Sequence, residues 1–258
     1  MFKLMTKGQI KSSLTALVLL AGVGLVLAAC SKSDSGIKIA TEGAYPPFNS
    51  KNADGSMSGF DIDIQQALCA EMKAKCTLVA QDWDGIIPGL VEKKYDAIFS
   101  GMSITEERKA TIAFSDSYFD NSLITVGKVG SGTSVEDLKL PGKVIGVQRS
   151  TVASKWVEDN IGAKAKVNLY DTQTAAYDDL GSGRVNFVLA DYATAIEWLK
   201  DKTGYVLVGD NIDLNDHFGI GLRKEDTELQ GKFNAALKAI KDNGTYKKIF
   251  DKYFAVAK

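Results

Sequence analysis

An α/β fold with a largely parallel sheet is predicted by three observations. Short apolar, strand-like runs alternate with helix-like runs through most of the chain. A Gly/Ser-rich stretch at residues 127–134 interrupts that alternation, so that a first unit ends near residues 118–121 and a second begins. A long amphipathic stretch near the C-terminus carries Leu229, Phe233, Leu237 and Ile240 on one helical stripe. In order, residues 37–40 read as a short strand. Asp61 is placed to cap a helix whose apolar residues Ile64, Leu68 and Met72 recur at the helical spacing. Residues 77–80 are the next strand, 84–92 the next helix, and 95–99 a third strand that ends at Ser100 and Gly101. Thr105 is a good helix N-cap, with Glu106 and Glu107 in the first turn. In the second unit, residues 143–147 are strand and 151–160 helix. Residues 167–170, 187–190 and 205–208 are strands, 193–200 is helical, and 218–222 is another strand. A helix at 226–243 ends at Gly244, and residues 246–254 form the last turns. There is no internal repeat. The pattern accommodates two lobes without fixing how they connect.

The first 29 residues stand apart. Lys3, Lys7 and Lys11 precede an apolar run from about Leu14 to Ala29, the arrangement of an export signal, and the run is short for a membrane span. It ends Leu27-Ala28-Ala29-Cys30, which is similar to the cleavage box of bacterial lipoproteins. That resemblance implies removal of residues 1–29 and acylation of the Cys30 thiol, giving an extracytoplasmic protein anchored to a bacterial membrane. Residues 30–36 are small and polar, as expected of a flexible tether. Three lysines and no acids leave with the leader. Lys+Arg falls from 31 to 28 against 32 Asp+Glu, a balance near −4, and no basic footprint for nucleic acid remains. Cys69 and Cys76 are the other two cysteines. The residues alone allow two buried thiols, but export to an oxidising compartment favours a disulfide. The single histidine, His217, lies far from them, which argues against a metal pair.

Two further segments carry most of the functional information: Ala40-Thr41-Glu42-Gly43-Ala44-Tyr45-Pro46-Pro47-Phe48-Asn49, and Ser103-Ile104-Thr105-Glu106-Glu107-Arg108-Lys109. They resemble the ligand-cleft segments of the extracytoplasmic amino-acid-binding proteins that serve ABC importers, solute-binding protein family 3. The resemblance extends over about residues 37–254 and is greatest for the lysine/arginine/ornithine and octopine branch. It implies the two-lobed periplasmic-binding-protein fold of type II, with two open α/β lobes joined by two crossover strands. Lobe 1 would comprise residues 37–121 plus 214–258 and lobe 2 residues 122–213, with crossings near 119–123 and 213–219. It also implies a disulfide of the Cys69–Cys76 spacing, a monomer, and a permease–ATPase complex as partner. No cofactor or metal is expected.

A free amino acid carries a carboxylate, an ammonium and a side chain. A site that excludes water must pair both charges. Arg108 is the candidate cation, because a guanidinium grips a carboxylate with two parallel hydrogen bonds and stays charged. Thr151, at a strand-to-helix junction, adds the donors of a helix N-terminus. Asp191 ends the apolar run 187–190, where a strand delivers it to a sheet edge, and is the candidate ammonium partner. Each has an ordinary alternative: a solvated arginine, a plain threonine cap, a helix-capping aspartate. The family resemblance places ligand contacts at all three positions, and around the same charges at Ser100, Gly101 and Ser103. Tyr45, in a proline-stiffened loop, and Trp83 occupy positions where the family sandwiches the ligand's methylenes between aromatics. Glu42 is the expected specificity residue, since a carboxylate at the end of an aromatic slot selects a cationic tail. Val152 departs from histidine- and lysine-type relatives, which often have Gln there.

These features imply capture of arginine, ornithine or lysine. Octopine-like opines, histidine and glutamine are the alternatives within the same class. A cleft dehydratase is the alternative from another class. It would need a poised acid or base, and the chain shows no Ser–His or Cys–His pair and no metal-ligand cluster.

Overall fold

The computed structural model describes residues 36–255. The leader, most of the tether with Cys30, and residues 256–258 lie outside the described residues. The chain begins with β1 (Ile37–Thr41) and a small antiparallel sheet of β2 (Ala44–Tyr45), β3 (Asn49–Lys51) and β4 (Met57–Ser58). Then follow α1 (Phe60–Glu71), β5 (Cys76–Ala80), α2 (Trp83–Val91), β6 (Ala97–Ile98), α3 (Glu106–Thr111) and β7 (Ala113–Phe114). A long strand, β8 (Phe119–Lys128), leads to β9 (Val144–Gln148), α4 (Val152–Asn160), β10 (Lys166–Tyr170), α5 (Gln173–Ser182), β11 (Phe187–Asp191) and α6 (Tyr192–Leu199). A second long strand, β12 (Tyr205–Phe218), returns to β13 (Gly221–Leu222), α7 (Thr227–Asp242) and α8 (Thr245–Phe254).

These elements build two five-stranded sheets, ordered β5-β1-β6-β13-β7 and β10-β9-β11-β8-β12. Each is mixed rather than largely parallel. β5, β1 and β6 are parallel, as are β10, β9 and β11, while β13 pairs antiparallel with β6 and β7. β8 enters the second sheet and β12 leaves it, so the two run side by side in opposite directions. Together they join the lobes. The register of β12 shifts between Val208 and Ile212 and again before Asp216, irregularities that bend a strand.

Aromatic packing anchors the roots of the joining strands. Phe48 meets Phe119 at 4.9 Å and Phe218 at 5.2 Å between ring centroids, and Phe60 meets Phe254 at 4.9 Å. Helix α8 therefore docks on the first lobe through its own aromatic face. Burial of each such ring contributes roughly 1.5–3 kcal/mol.

Local differences from the sequence reading have physical causes. Asp61 does not cap α1. The N-cap is Gly59, whose φ of 130° only glycine tolerates, and a Cβ there would stand 2.2 Å from the Phe48 carbonyl oxygen. Asp61 is instead fully buried within the first turn, accepting from the Asn49 amide at 3.0 Å and the Tyr118 hydroxyl at 2.9 Å. The expected strand at 95–99 is shortened to Ala97–Ile98, with Asp96 and Phe99 still donating backbone hydrogen bonds to β1. The segment 218–222 is divided between the end of β12 and β13. The Cys69–Cys76 disulfide is present, with 6.2 Å between the Cα atoms, and ties the end of α1 to the start of β5.

Candidate ligand-binding cleft

The first wall of the cleft comes from the loops after β1 and β6. Gly101 has a φ of 55°, and a Cβ on it would press against the Tyr45 ring at 3.2 Å. Only glycine satisfies both the backbone and the contact. The Glu42 amide donates to Ser100 Oγ at 2.9 Å, and the Gly101 amide donates to the Tyr118 hydroxyl at 3.2 Å. These bonds fix the two loops to one another and to the core.

Arg108 sits in the short helix α3, whose N-cap Thr105 accepts from the Arg108 amide at 3.2 Å. Its guanidinium donates through Nη1 to the Ser103 carbonyl at 2.8 Å and through Nη2 to the Ser150 carbonyl at 3.0 Å, and lies 5.2 Å over the Trp83 ring. Burial lowers its pKa, while the charges of Asp216 and Asp191 oppose that effect. Ser150 belongs to the second lobe and adopts a left-handed φ of 59°. Its carbonyl also accepts a long hydrogen bond, 3.3 Å, from Trp83 Nε1. Trp83 itself occupies the first position of α2 and is buried.

The opposite wall comes from strand ends of the second lobe. Asp191 terminates β11 and is buried. The Tyr45 hydroxyl donates to its Oδ2, and Asn121 Nδ2 donates to its Oδ1 at 2.7 Å. Burial raises its pKa to about 6, although both hydrogen bonds favour the anion. Gln148 terminates β9 in the same way. Its Nε2 reaches across the cleft to Glu42 Oε1 at 2.8 Å and also donates to the Asp171 carbonyl at 3.1 Å. Burial pushes the Glu42 carboxyl up to about 7. The Gln148 amide opposes that rise, and the charges of Asp82 and Asp84 add to it.

Thr151 caps α4, but its own groups are engaged there. Its Oγ1 donates to the Gln148 carbonyl at 2.8 Å and accepts from the Ser154 amide at 3.1 Å, while its N–H donates to Ser154 Oγ at 3.0 Å. The amides of Val152 and Ala153, next in the first turn, have no partner within the helix.

Glu42, Tyr45, Trp83, Ser100, Gly101, Ser103, Arg108, Thr151 and Asp191 all line one cavity, with about 300 Å³ of open space, together with Gln148 and Val152. Gln148 was missed by the sequence reading, although it shows the signal that singled out Asp191: a polar residue ending an apolar strand. The cavity is thus lined by the Arg108 cation, the N-terminus of α4, the buried Asp191 carboxylate, the half-buried Glu42 carboxylate and the rings of Tyr45 and Trp83. Among the described residues no group of three or more His, Cys, Asp or Glu is placed to hold a metal ion. His217 pairs with Asp120 at 2.8 Å on the joining strands.

Residues 37–256 match the model of the bacterial extracellular solute-binding proteins, family 3. The chain is 43% identical over 222 residues to a putative ABC transporter arginine-binding protein 2 of Escherichia coli, covering 84% of this chain and 90% of the relative. It is 41% identical over 231 residues to an L-arginine-binding protein of Pseudomonas aeruginosa, covering 86% and 89%. An ancestral arginine-binding protein bound to glutamine superposes with a TM-score of 0.79 at 39% identity, covering 85% of this chain and 98% of that one. The two-lobed architecture is thus that of the periplasmic binding proteins.

Proposed function

Because the chain belongs to the bacterial extracellular solute-binding proteins of family 3, we propose that it captures a free cationic amino acid between its lobes and delivers it to an ABC permease and its ATPase. Arg108 and the first-turn amides of α4 receive the α-carboxylate, and Asp191 receives the α-ammonium with Ser100, Gly101 and Ser103 around it. The side chain runs between Tyr45 and Trp83 toward Glu42. The observation that carries this reading is Glu42: a half-buried carboxylate in the same cavity as Asp191, held across the cleft by Gln148. A desolvated carboxylate is costly unless a cation meets it. Arginine is the expected best ligand, since a planar guanidinium matches both carboxylate oxygens and stacks on an indole.

Lobe 1 is assigned to residues 37–121 plus 214–258 and lobe 2 to 122–213. The protein acts as a monomer and performs no chemistry on its ligand. Cleavage before Cys30 and diacylation of its thiol anchor it, extracytoplasmic, to a bacterial membrane, since two acyl chains anchor stably. Cys30→Ser should release the protein or leave it unprocessed, and unchanged fractionation and precursor size would refute the anchor.

Calorimetric titration of ligand-stripped protein with a panel of free amino acids and opines tests the central proposal. Arginine, with ornithine and lysine, should bind well above glutamine or glutamate. The second reading is glutamine. It is supported by the glutamine-bound ancestral structure and by the high pKa of Glu42, because a protonated carboxyl can face a neutral amide. Glutamine binding tighter than arginine would establish it.

A further inference from the structure

The cavity accounts for Asp191 but not for two residues behind it. Asn121 lies on β8 and Asp216 on β12, directly opposite one another in the register of the strands that join the lobes. Each is only 7% exposed, and neither is among the residues that line the cavity. Asn121 Nδ2 donates to Asp191 Oδ1 at 2.7 Å and to Asp216 Oδ2 at 2.8 Å. The same Asp216 oxygen accepts from Ser103 Oγ at 2.9 Å. A continuous chain of side-chain hydrogen bonds therefore runs from Ser103 in the loop after β6, through both joining strands, to Asp191 at the end of β11.

The chemistry of Asn121 is one-sided. Its nitrogen serves two buried carboxylates, while its Oδ1 has no partner among the described residues. A buried acceptor left unpaired costs free energy, so the amide contributes through its two N–H groups. They are the bridge between carboxylates that otherwise repel. The backbone around Asp216 is irregular: the register of β12 shifts just before it, and Asn215 has a φ of 51°. The bridge thus sits where β12 departs from regular strand geometry.

We propose that Asn121 and Asp216 are positioning residues that couple ammonium pairing at Asp191 to the bend of the joining strands, and hence to lobe closure. The inference rests on Asp191 being the ammonium partner. An ammonium at Asp191 supplies the countercharge that lets Asp191 and Asp216 remain together on one amide. The closed bend, in turn, holds Asp191 and Ser103 at the spacing the ammonium needs.

A double-mutant cycle tests this, using Asn121→Leu, which keeps the side-chain shape without the amide, Asp191→Asn, and both together. L-arginine affinity is read by calorimetry and lobe closure by small-angle scattering. Each single variant should lose about tenfold or more in affinity. The double variant should be within about threefold of Asp191→Asn, because the amide acts through that carboxylate. Asn121→Leu should also reduce the compaction produced by arginine. Additive losses, or an unchanged affinity in Asn121→Leu, would overturn the coupling while a weakened Asp191→Asn left the binding site intact. An unchanged Asp191→Asn would overturn the ammonium assignment itself. Should Asn121→Leu fail to fold, Asp216→Asn replaces it in the same cycle, with the same outcomes decisive.

Discussion

Arg108 spans the lobes by bonding Ser103 and Ser150, and the proposed function asks it to receive the ligand's carboxylate as well. Removing it leaves the ligand carboxylate with backbone donors alone, and truncating one partner of a desolvated pair costs roughly 2–5 kcal/mol. Arg108→Ala should therefore weaken arginine binding about 30- to several-thousand-fold, measured by calorimetry on protein with an unchanged circular dichroism spectrum. A loss below threefold would place Arg108 outside the site. Arg108→Lys should fall between, because one ammonium cannot reproduce a planar fork that reaches both carbonyls. The same proposal sets Glu42 at the ligand's tail. Glu42→Gln should weaken arginine far more than glutamine, and equal losses for both would show that the carboxylate does not face the ligand's tail.

At the level of elements, the disulfide joins the last turn of α1 to the first residue of β5, closing a loop with a sequence separation of 7. For so short a loop the chain-entropy effect is about 2–3 kcal/mol. The paired variant Cys69→Ser with Cys76→Ser should lower the denaturation free energy by that order and leave arginine affinity within about twofold, since neither sulfur approaches the cavity. A large affinity loss would mean that this segment reports to the cleft. The elements also show what a sequence can reveal by itself. α3 and α4 were legible because Thr105 and Thr151 signal their caps locally. α5 carries the same local signals, Thr172 at its start and Gly183 past its end, but its buried stripe of Gln173, Ala176, Tyr177 and Leu180 mixes a polar and a small residue with two large apolar ones, so its periodicity is weak in the sequence. Asp191 was found because it ends an apolar run, and Gln148 could have been found the same way. Asn121 and Asp216 could not. Their partnership is a matter of antiparallel register between segments 95 residues apart, and nothing in either segment announces it. Asp61 was misplaced because its neighbours suit a cap, whereas tertiary packing seats it beneath Tyr118.

For the molecule as a whole, three buried or half-buried carboxyls bear on stability and ligand binding together. Burial raises Asp61 to about 7, Glu42 to about 7 and Asp191 to about 6, from ordinary values of 3.8, 4.5 and 3.8. Each is therefore protonated more readily in the folded state than in the unfolded chain. Their stabilising contribution is complete below about pH 4 and is lost as pH rises toward 7. Across that window the ligand-free protein should therefore become less stable as pH rises, by the combined effect of these three groups. A bound arginine changes two of the three. Its ammonium and guanidinium pair with Asp191 and Glu42 and draw their pKa values down, whereas Asp61 lies behind Tyr118 and is untouched. Binding should then release protons between about pH 5 and 7, and affinity should increase with pH. The ligand's own charged groups and Arg108 do not titrate there. The rise in melting temperature produced by saturating arginine should be clearly larger at pH 7.5 than at pH 5, and the increase should shrink in Glu42→Gln. Subtracting ligand-free from liganded protein at each pH cancels Asp61 and the exposed groups. A thermal shift that stays flat, or that falls as pH rises, would show that the ligand's positive charges do not reach these two carboxylates.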